Sequence, residues 1–456
     1  MYFRQILQTD LGCASYLIAD GGEAVVVDPR WDIEPYLEAA EELGARIRHV
    51  LETHNHADHV SGRRRLLSAT GAIAHTPADP GDEESAGLRE GDLIAVGEVE
   101  IRVMAAPGHR PEHLAFLVVD RSGREPERLL SGDSLLVGGV ARPDLAVAAS
   151  DGAAALFETL QRLGGLGDEV EVWPAHVGGS LCGSGSLTDA TFSTIGDELR
   201  HNRLLGIAAR EDFIHELTSS SPVRPPRVAR IVELNTSGPP EAPPLPELDA
   251  GELMRLGPGG ACVLDVRDAE SYDRAHLSGS LNLPAESSSA GNRAAWATDP
   301  EEPIVIVADT ASAAAAFAHR LLSAGLWNLR GVLVADPEAW RAAGLTVESG
   351  RVLTPVEVAQ GLSRGELELV DVRDESEWRL GHVDGARHLP LPVLADGRGV
   401  DLPADRPLAV ACAAGARAAL AASVLRRQGY SGASRMTGGI PELLRSVPLP
   451  VGSQLR

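Results

Sequence analysis

The sequence predicts an α/β protein of three units, and three observations carry that expectation. Short β-type runs alternate with segments of helical periodicity, and a Pro- and Ser-rich stretch interrupts the chain near its middle. Beyond that stretch, a pattern of strand, Asp-Val-Arg-Asp, helix, His, Gly and Leu-Pro occurs twice. The length agrees, because 456 residues exceed what one hydrophobic core normally organises.

In chain order, ASYLIADGGEAVVVD (Ala14 to Asp28) reads as two apolar runs around a Gly-Gly turn, a hairpin. IRHVLETH, LIAVGEVEIRVMAA, LAFLVV and VEVWPAH are further β runs, whereas PYLEAAEELGA and ALFETLQRLGGL place apolar residues at helical spacing. From Ser219 to Leu248, SSSPVRPPR and SGPPEAPPLPEL read as a stiff spacer that joins no helix or central strand, with a boundary near Gly238 to Pro246. GGACVLDVRDAESYDRAHLSGSLNLP is then echoed by LELVDVRDESEWRLGHVDGARHLPLP at a period of roughly a hundred residues. The expected units are 1–237, 249–347 and 353–451.

Charge narrows the partners. The 41 basic residues, all arginine, face 65 acidic ones, and a formal charge of −24 repels nucleic acid and anionic membranes. The opening MYFRQILQTDLG lacks the features of a signal peptide, and no window offers a membrane span, so a cytoplasmic protein is expected. Four cysteines, Cys13, Cys182, Cys262 and Cys412, are too few for a disulfide framework and read as free thiols. The sequence leaves the oligomeric state open, a homo-oligomer included.

The densest chemistry lies in VLETHNHADHVSG, where a strand leads into His54, His56, Asp58 and His59 and a helix is expected from about Ala57. Strand alternation puts His54 and His56 on one side, and Asp58 and His59 reach the same point from the helix start. Three more residues end β runs before turns: His109 in AAPGHRPEH, Asp133 in LLSGDSLL and His176 in WPAHVGG.

These residues carry a resemblance to the metallo-β-lactamase superfamily, whose HxHxDH motif matches His54 to His59 without a gap. The resemblance covers about 1–237 and implies an αββα sandwich with metal at one edge, the later positions being His109, Asp133 and His176. PGHRPEHLAF, LLSGDSLLVGGVARPDL and WPAHVGGSLCGSG look like bacterial persulfide dioxygenases fused to rhodanese modules. That implies one Fe(II) per chain on His54, His109 and Asp133, with His56, Asp58, His59 and His176 as an outer shell or a second-metal set. Two imidazoles and a carboxylate suit Fe(II) and leave positions open for sulfur and O2. A binuclear zinc hydrolase, resembling a glyoxalase II-type thioesterase or a lactonase, would use the same residues with Asp133 bridging two Zn. Fold alone does not choose between them.

In the second repeat, PLAVAC ends a strand at Cys412 and AAGARAALAASVLRRQGY runs into a helix, so the thiol faces backbone N–H groups and a helix N-terminus. Arg417 adds a planar donor fork for an oxyanion. CAAGAR resembles the C-x-x-G-x-R loop of rhodanese domains, which implies a Cys412 persulfide that passes sulfur to sulfite or a thiol. The first repeat aligns Asp309 with Cys412 and lacks the loop's Gly and Arg, so it reads as catalytically silent. Cys13 and Cys262 read as packing residues, Cys182 as either a lining of the substrate mouth or a structural residue, and Arg63 to Arg65 as a solvated helix face or an attractor of an anionic thiol carrier.

The expected activity is oxidation of a low-molecular-weight thiol persulfide by O2 to sulfite and thiol, coupled to sulfur transfer at Cys412 in sulfide detoxification. A non-catalytic sulfur sensor or carrier is the remaining class.

Overall fold

A computed structural model describes residues 1–8, 11–78, 85–177, 183–185, 190–219, 224, 226–256, 260–287, 289–299, 301–397, 400–403, 406–446 and 451–452. Two compact units result, one comprising Met1–Glu241 with Leu322–Gly325, the other Ala242–Leu321 with Leu326–Arg456.

The first unit stacks two six-stranded sheets. One runs Tyr2–Gln8, Cys13–Asp20, Glu23–Val27, Arg46–Leu51, Ile73–Pro77, Ala86–Leu88 in spatial order. Its partner runs Ser193–Thr194, Glu171–Pro174, Arg128–Gly132, Leu114–Asp120, Val99–Ala105, Leu93–Val96. The hairpin read from Ala14 to Asp28 is present, with Asp20 paired to Glu23. Gly21 and Gly22 turn it at φ 60° and 84°, values an L side chain rarely adopts.

Strands such as CASYLIAD and LAFLVVD are apolar along nearly their whole length because both faces are covered. Tyr16, Ile18, Val25 and Leu51 meet Val99, Ile101, Phe116 and Leu130 between the sheets. Helix Glu34–Glu42 contributes Tyr36 and Ala39, and helix Arg63–Thr70 contributes Leu66, to a second core on the outer face of the first sheet. Helix Ala149–Gly164 contributes Leu156, Leu160 and Leu163 to a third against the other sheet. This is an αββα sandwich.

The Pro-rich spacer departs from expectation. RVARIVELNTS contains a helix, Val228–Ser237, whose Val228, Ile231 and Leu234 are buried. Its prolines lie before and after it, so the apolar spacing at 228, 231 and 234 decides the local structure.

The second unit holds two parallel sheets of the same plan. In the first repeat Cys262–Asp265 lies between Leu281–Asn282 and Ile304–Ala308, with Leu329–Val334 beyond. In the second, Leu408–Ala411 lies between Glu368–Asp371 and Ala433–Met436. The repeated Asp-Val-Arg-Asp builds the same buried ion pair in each copy. Arg267 pairs with Asp265 and donates to the Ala275 carbonyl, and Arg373 pairs with Asp371 and donates to the Gly381 carbonyl. The repeated histidine also matches. His276 stacks on Tyr272 and bonds its carbonyl, as His382 does with Trp378. Among the described residues, no helix is long and apolar enough to cross a membrane.

Candidate metal centre

The strand Arg46–Leu51 stops before the histidine motif, and the next helix starts only at Arg63. His54, His56, Asp58 and His59 therefore sit on a loop rather than on a strand end and a helix start. Hydrogen bonds hold that loop. Asp28 accepts from the Thr53 amide at 2.7 Å and from the Thr53 hydroxyl at 2.9 Å. Asn235, on the helix Val228–Ser237, donates to the His56 and His59 carbonyls and accepts from the Ser61 amide. Gly62 ends the loop because a Cβ there would lie 2.0 Å from the Arg30 carbonyl oxygen.

His109 follows the strand Val99–Ala105, and Asp133 follows Arg128–Gly132. Their side chains meet His54. The His54 Nε2 and Asp133 Oδ2 atoms are 3.8 Å apart, His109 Nε2 and Asp133 Oδ2 are 3.3 Å apart, and all three donor atoms lie within 4.8 Å of one another. Each of the three atoms is buried without a hydrogen-bond partner. A fully desolvated donor set of this kind is costly unless something occupies its centre.

Electrostatics prepare the same three groups as ligands. Burial, with like charge from neighbouring histidines, holds His54 well below its usual range, and burial likewise lowers His109, so both rings are neutral. Burial alone would raise the Asp133 carboxyl, but His176 and His109 hold it at about 2. Two neutral imidazoles and one carboxylate are the protonation states a divalent metal requires. Backing contacts fix each group: Thr53 Oγ1 lies 2.9 Å from His54 Nδ1, the Arg142 carbonyl 3.1 Å from His109 Nδ1, and Asp133 Oδ1 2.5 Å from His176 Nδ1.

The other motif residues are engaged differently. His56 Nε2 lies between Glu52 at 3.0 Å and Asp28 at 3.2 Å. Those carboxylates outweigh the effect of burial and raise His56 well above its usual range, so it is an imidazolium. Asp58 Oδ2 receives His176 Nε2 at 2.7 Å, and Asp58 Oδ1 lies 3.2 Å from His59 Nδ1. The far nitrogens, His56 Nδ1 and His59 Nε2, are buried without hydrogen-bond partners.

Two residues enter the site unannounced by the sequence. Cys13, expected to pack in the core, donates to Asp58 Oδ2 at 3.2 Å and lies 3.5 Å from His176 Nε2. Its strand runs to the metal edge, which periodicity does not encode. His113 accepts from the Asp133 amide at 3.0 Å and stacks on His54. Burial lowers it to about 3, so it serves as an acceptor. The second His of PGHRPEH was its only signal. Gly132, at φ 55°, admits that ring, because a Cβ would lie 2.5 Å from His113 Nε2. Gly132→Ala is expected to lose roughly 1–3 kcal/mol of stability in denaturant unfolding and to weaken metal binding.

A cavity of about 220 Å³ is lined by His54, His56, Arg63, Arg110 and Glu112 among others. Arg63 is buried rather than solvated, and Arg65 lies 4.8 Å over the Trp31 ring. Cys182 lies outside the described residues.

In the second unit Cys412 is buried at the C-terminal end of the strand Leu408–Ala411, where the Gly415 amide donates to its sulfur at 3.0 Å. Helix Ala416–Arg427 follows at once. Arg417, expected to face an oxyanion, instead donates to Glu377 at 2.5 and 2.7 Å and to Asp374 at 3.0 Å. In the first repeat Asp309 occupies the equivalent place after Ile304–Ala308 and is exposed. Cys262 accepts from Arg427 at 3.1 Å, and burial raises its thiol to about 11, consistent with a packing role.

Residues 8–176 match the metallo-beta-lactamase superfamily, and 249–343 and 354–446 match the rhodanese-like domain. Similar curated proteins include the hydroxyacylglutathione hydrolase of Cereibacter sphaeroides (strain ATCC 17029 / ATH 2.4.9), 37% identical over 171 residues, 36% of this chain and 61% of that protein. The protein of the same name from Acaryochloris marina (strain MBIC 11017) is 32% identical over 169 residues, 35% of this chain and 63% of its own. The chain thus spans about three fifths of the curated relatives it matches. Among solved structures, a metallo-beta-lactamase from Staphylococcus aureus subsp. aureus COL is 28% identical with a TM-score of 0.65, covering 74% of this chain and 99% of that one. ETHE1 from Myxococcus xanthus is 30% identical with a TM-score of 0.46, covering 53% and 100%.

Proposed function

We propose that this chain, a metallo-β-lactamase-superfamily domain followed by two rhodanese-like domains, oxidises a low-molecular-weight thiol persulfide with O2 at one Fe(II) and transfers sulfane sulfur at Cys412. One observation carries the first part. His54 Nε2, His109 Nε2 and Asp133 Oδ2 form a converging, buried, unpartnered donor set, the two-imidazole, one-carboxylate arrangement that suits mononuclear Fe(II). When bound, the iron would supply a redox-active centre with coordination positions left open by these three ligands.

The chain's own residues do the rest. His176 and His113 hold Asp133 from two sides, and Thr53 and the Arg142 carbonyl aim the two imidazoles. Arg63 and Arg110 stand on the cavity wall with Glu52 and Glu112, and Arg110 pairs with Glu112 at 2.5 Å, so the wall carries both charge signs. The reaction balances as one persulfide, one O2 and one water giving one thiol, one sulfite and two protons. The terminal sulfur loses four electrons and dioxygen gains them.

At Cys412 the thiolate takes sulfane sulfur from a persulfide, releasing a thiolate. Sulfite then attacks that sulfur, the S–S bond to Cys412 breaks, and thiosulfate leaves. A loop at the end of a parallel strand, with an amide already donating to the sulfur, supports this role.

A binuclear zinc thioesterase is the second reading. A second convergent donor group, Cys13, Asp58 and His176 with ligand atoms within 4.8 Å of one another, favours it, as do the hydroxyacylglutathione hydrolase relatives. Parallel assays separate the two: oxygen uptake on a low-molecular-weight persulfide by Fe(II)-loaded chain, and hydrolysis of a glutathione thioester by zinc-loaded chain. Uptake of one O2 per persulfide with no thioester turnover is expected; the opposite pair of results would overturn the dioxygenase reading.

A further inference from the structure

The silent first repeat packs on two helices of the second, one of which follows directly on the loop that carries Cys412. Its helix Ala290–Ala297 packs on the helix Leu391–Asp396 of the second repeat, and its strand Leu281–Asn282 packs on the helix Ala416–Arg427, which begins at the loop. The contact is specific: the Asn282 amide donates to Ser423 Oγ at 3.0 Å, and Arg435 pairs with Asp273 at 2.7 Å.

On that face stands Arg293, in the helix Ala290–Ala297. Its Nη1 is buried with no hydrogen-bond partner. Its charge interacts with Arg417, Cys412, Asp374 and Glu377, which places it in the active-loop cluster, and burial with the like charge of Arg417 lowers it to about 10. Arginine remains cationic there. Arg417 offers its fork to Glu377 and Asp374, so it is committed to carboxylates. Arg293 Nη1, by contrast, has donor capacity left over.

A buried guanidinium with an unused donor is an unfavourable resting arrangement, and an arriving oxyanion relieves it. The transfer proposed at Cys412 brings such anions, sulfite in and thiosulfate out, both with planar oxygen pairs that suit a guanidinium.

We propose that the catalytically silent repeat supplies Arg293 as the anion-binding residue of the sulfur-transfer site, so that the site is assembled from both repeats. The inference rests on the assignment of sulfur transfer to Cys412. It gives the Asp309 repeat a role beyond spacing, because loss of its own thiol leaves the Arg293 face in place.

The test uses the full chain as Arg293→Ala and Arg293→Lys. Alkylation of Cys412 is followed by mass spectrometry with anionic iodoacetate and neutral iodoacetamide, and the ratio of the two rates reports anion attraction independently of thiolate fraction. The ratio is expected to fall roughly tenfold in Arg293→Ala and to recover in part in Arg293→Lys, with a matching rise in KM for sulfite. An unchanged ratio in Arg293→Ala, or a loss of both rates that Lys does not reverse, would overturn the proposal. Failure of the underlying assignment looks different: Cys412→Ser would then retain sulfur transfer whatever stands at 293.

Discussion

Asp133→Ala is expected to leave the chain folded but unable to retain its metal, with metal content below about a tenth of wild type and oxygen uptake reduced by at least roughly a hundredfold. Asp133 is fully buried and is the only carboxylate in the donor set with His54 and His109. Its removal leaves two neutral imidazoles, which bind a divalent cation far more weakly than the complete triad. It also takes away the partner of His176 Nδ1, so His176 loses the contact that ties it to Asp133 and keeps the one to Asp58. Elemental analysis of anaerobically prepared protein checks the first effect and an oxygen electrode the second. Metal content equal to wild type would show that the cation is held elsewhere.

Cys412→Ser should abolish sulfur transfer while oxygen uptake on a persulfide continues at the wild-type rate, because the two sites lie in separate compact units. The serine hydroxyl keeps the Gly415 amide satisfied, so the loop remains formed, but it cannot accept a sulfane sulfur. Sulfite should then accumulate where the wild-type chain is expected to yield thiosulfate. Chromatographic quantification of both anions reads the switch, and unchanged thiosulfate output would disconnect Cys412 from the product.

Much of this was legible in the sequence because its signals are local. The Gly21–Gly22 hairpin, the continuously apolar strands and the doubled Asp-Val-Arg-Asp each depend on residues within a few positions of one another. The motif histidines were legible by type and spacing, but their backbone was not. A helix near Ala57 was expected, whereas hydrogen bonds from Asn235, far along the chain, hold that segment as a loop. The same limit applies to the Pro-rich spacer, where apolar spacing from Val228 to Leu234 outweighs flanking prolines.

Partner choice was the least legible feature. Arg417 has the right spacing for an oxyanion fork, yet Glu377 and Asp374 claim it. Cys13 reads as a strand residue and reaches Asp58 only because the first sheet ends at the metal edge. His113, Thr53 and Asp28 act through residues that are themselves ligands or motif members, and a single sequence has no marker for such second contacts.

The central claim is a single iron on His54, His109 and Asp133 that drives persulfide oxidation. Metal stoichiometry of the anaerobically prepared full chain, measured alongside oxygen uptake on a low-molecular-weight persulfide, tests it most directly. The account predicts one iron per chain and one O2 consumed per persulfide, both lost in Asp133→Ala. Two zinc ions per chain with no oxygen uptake would contradict it.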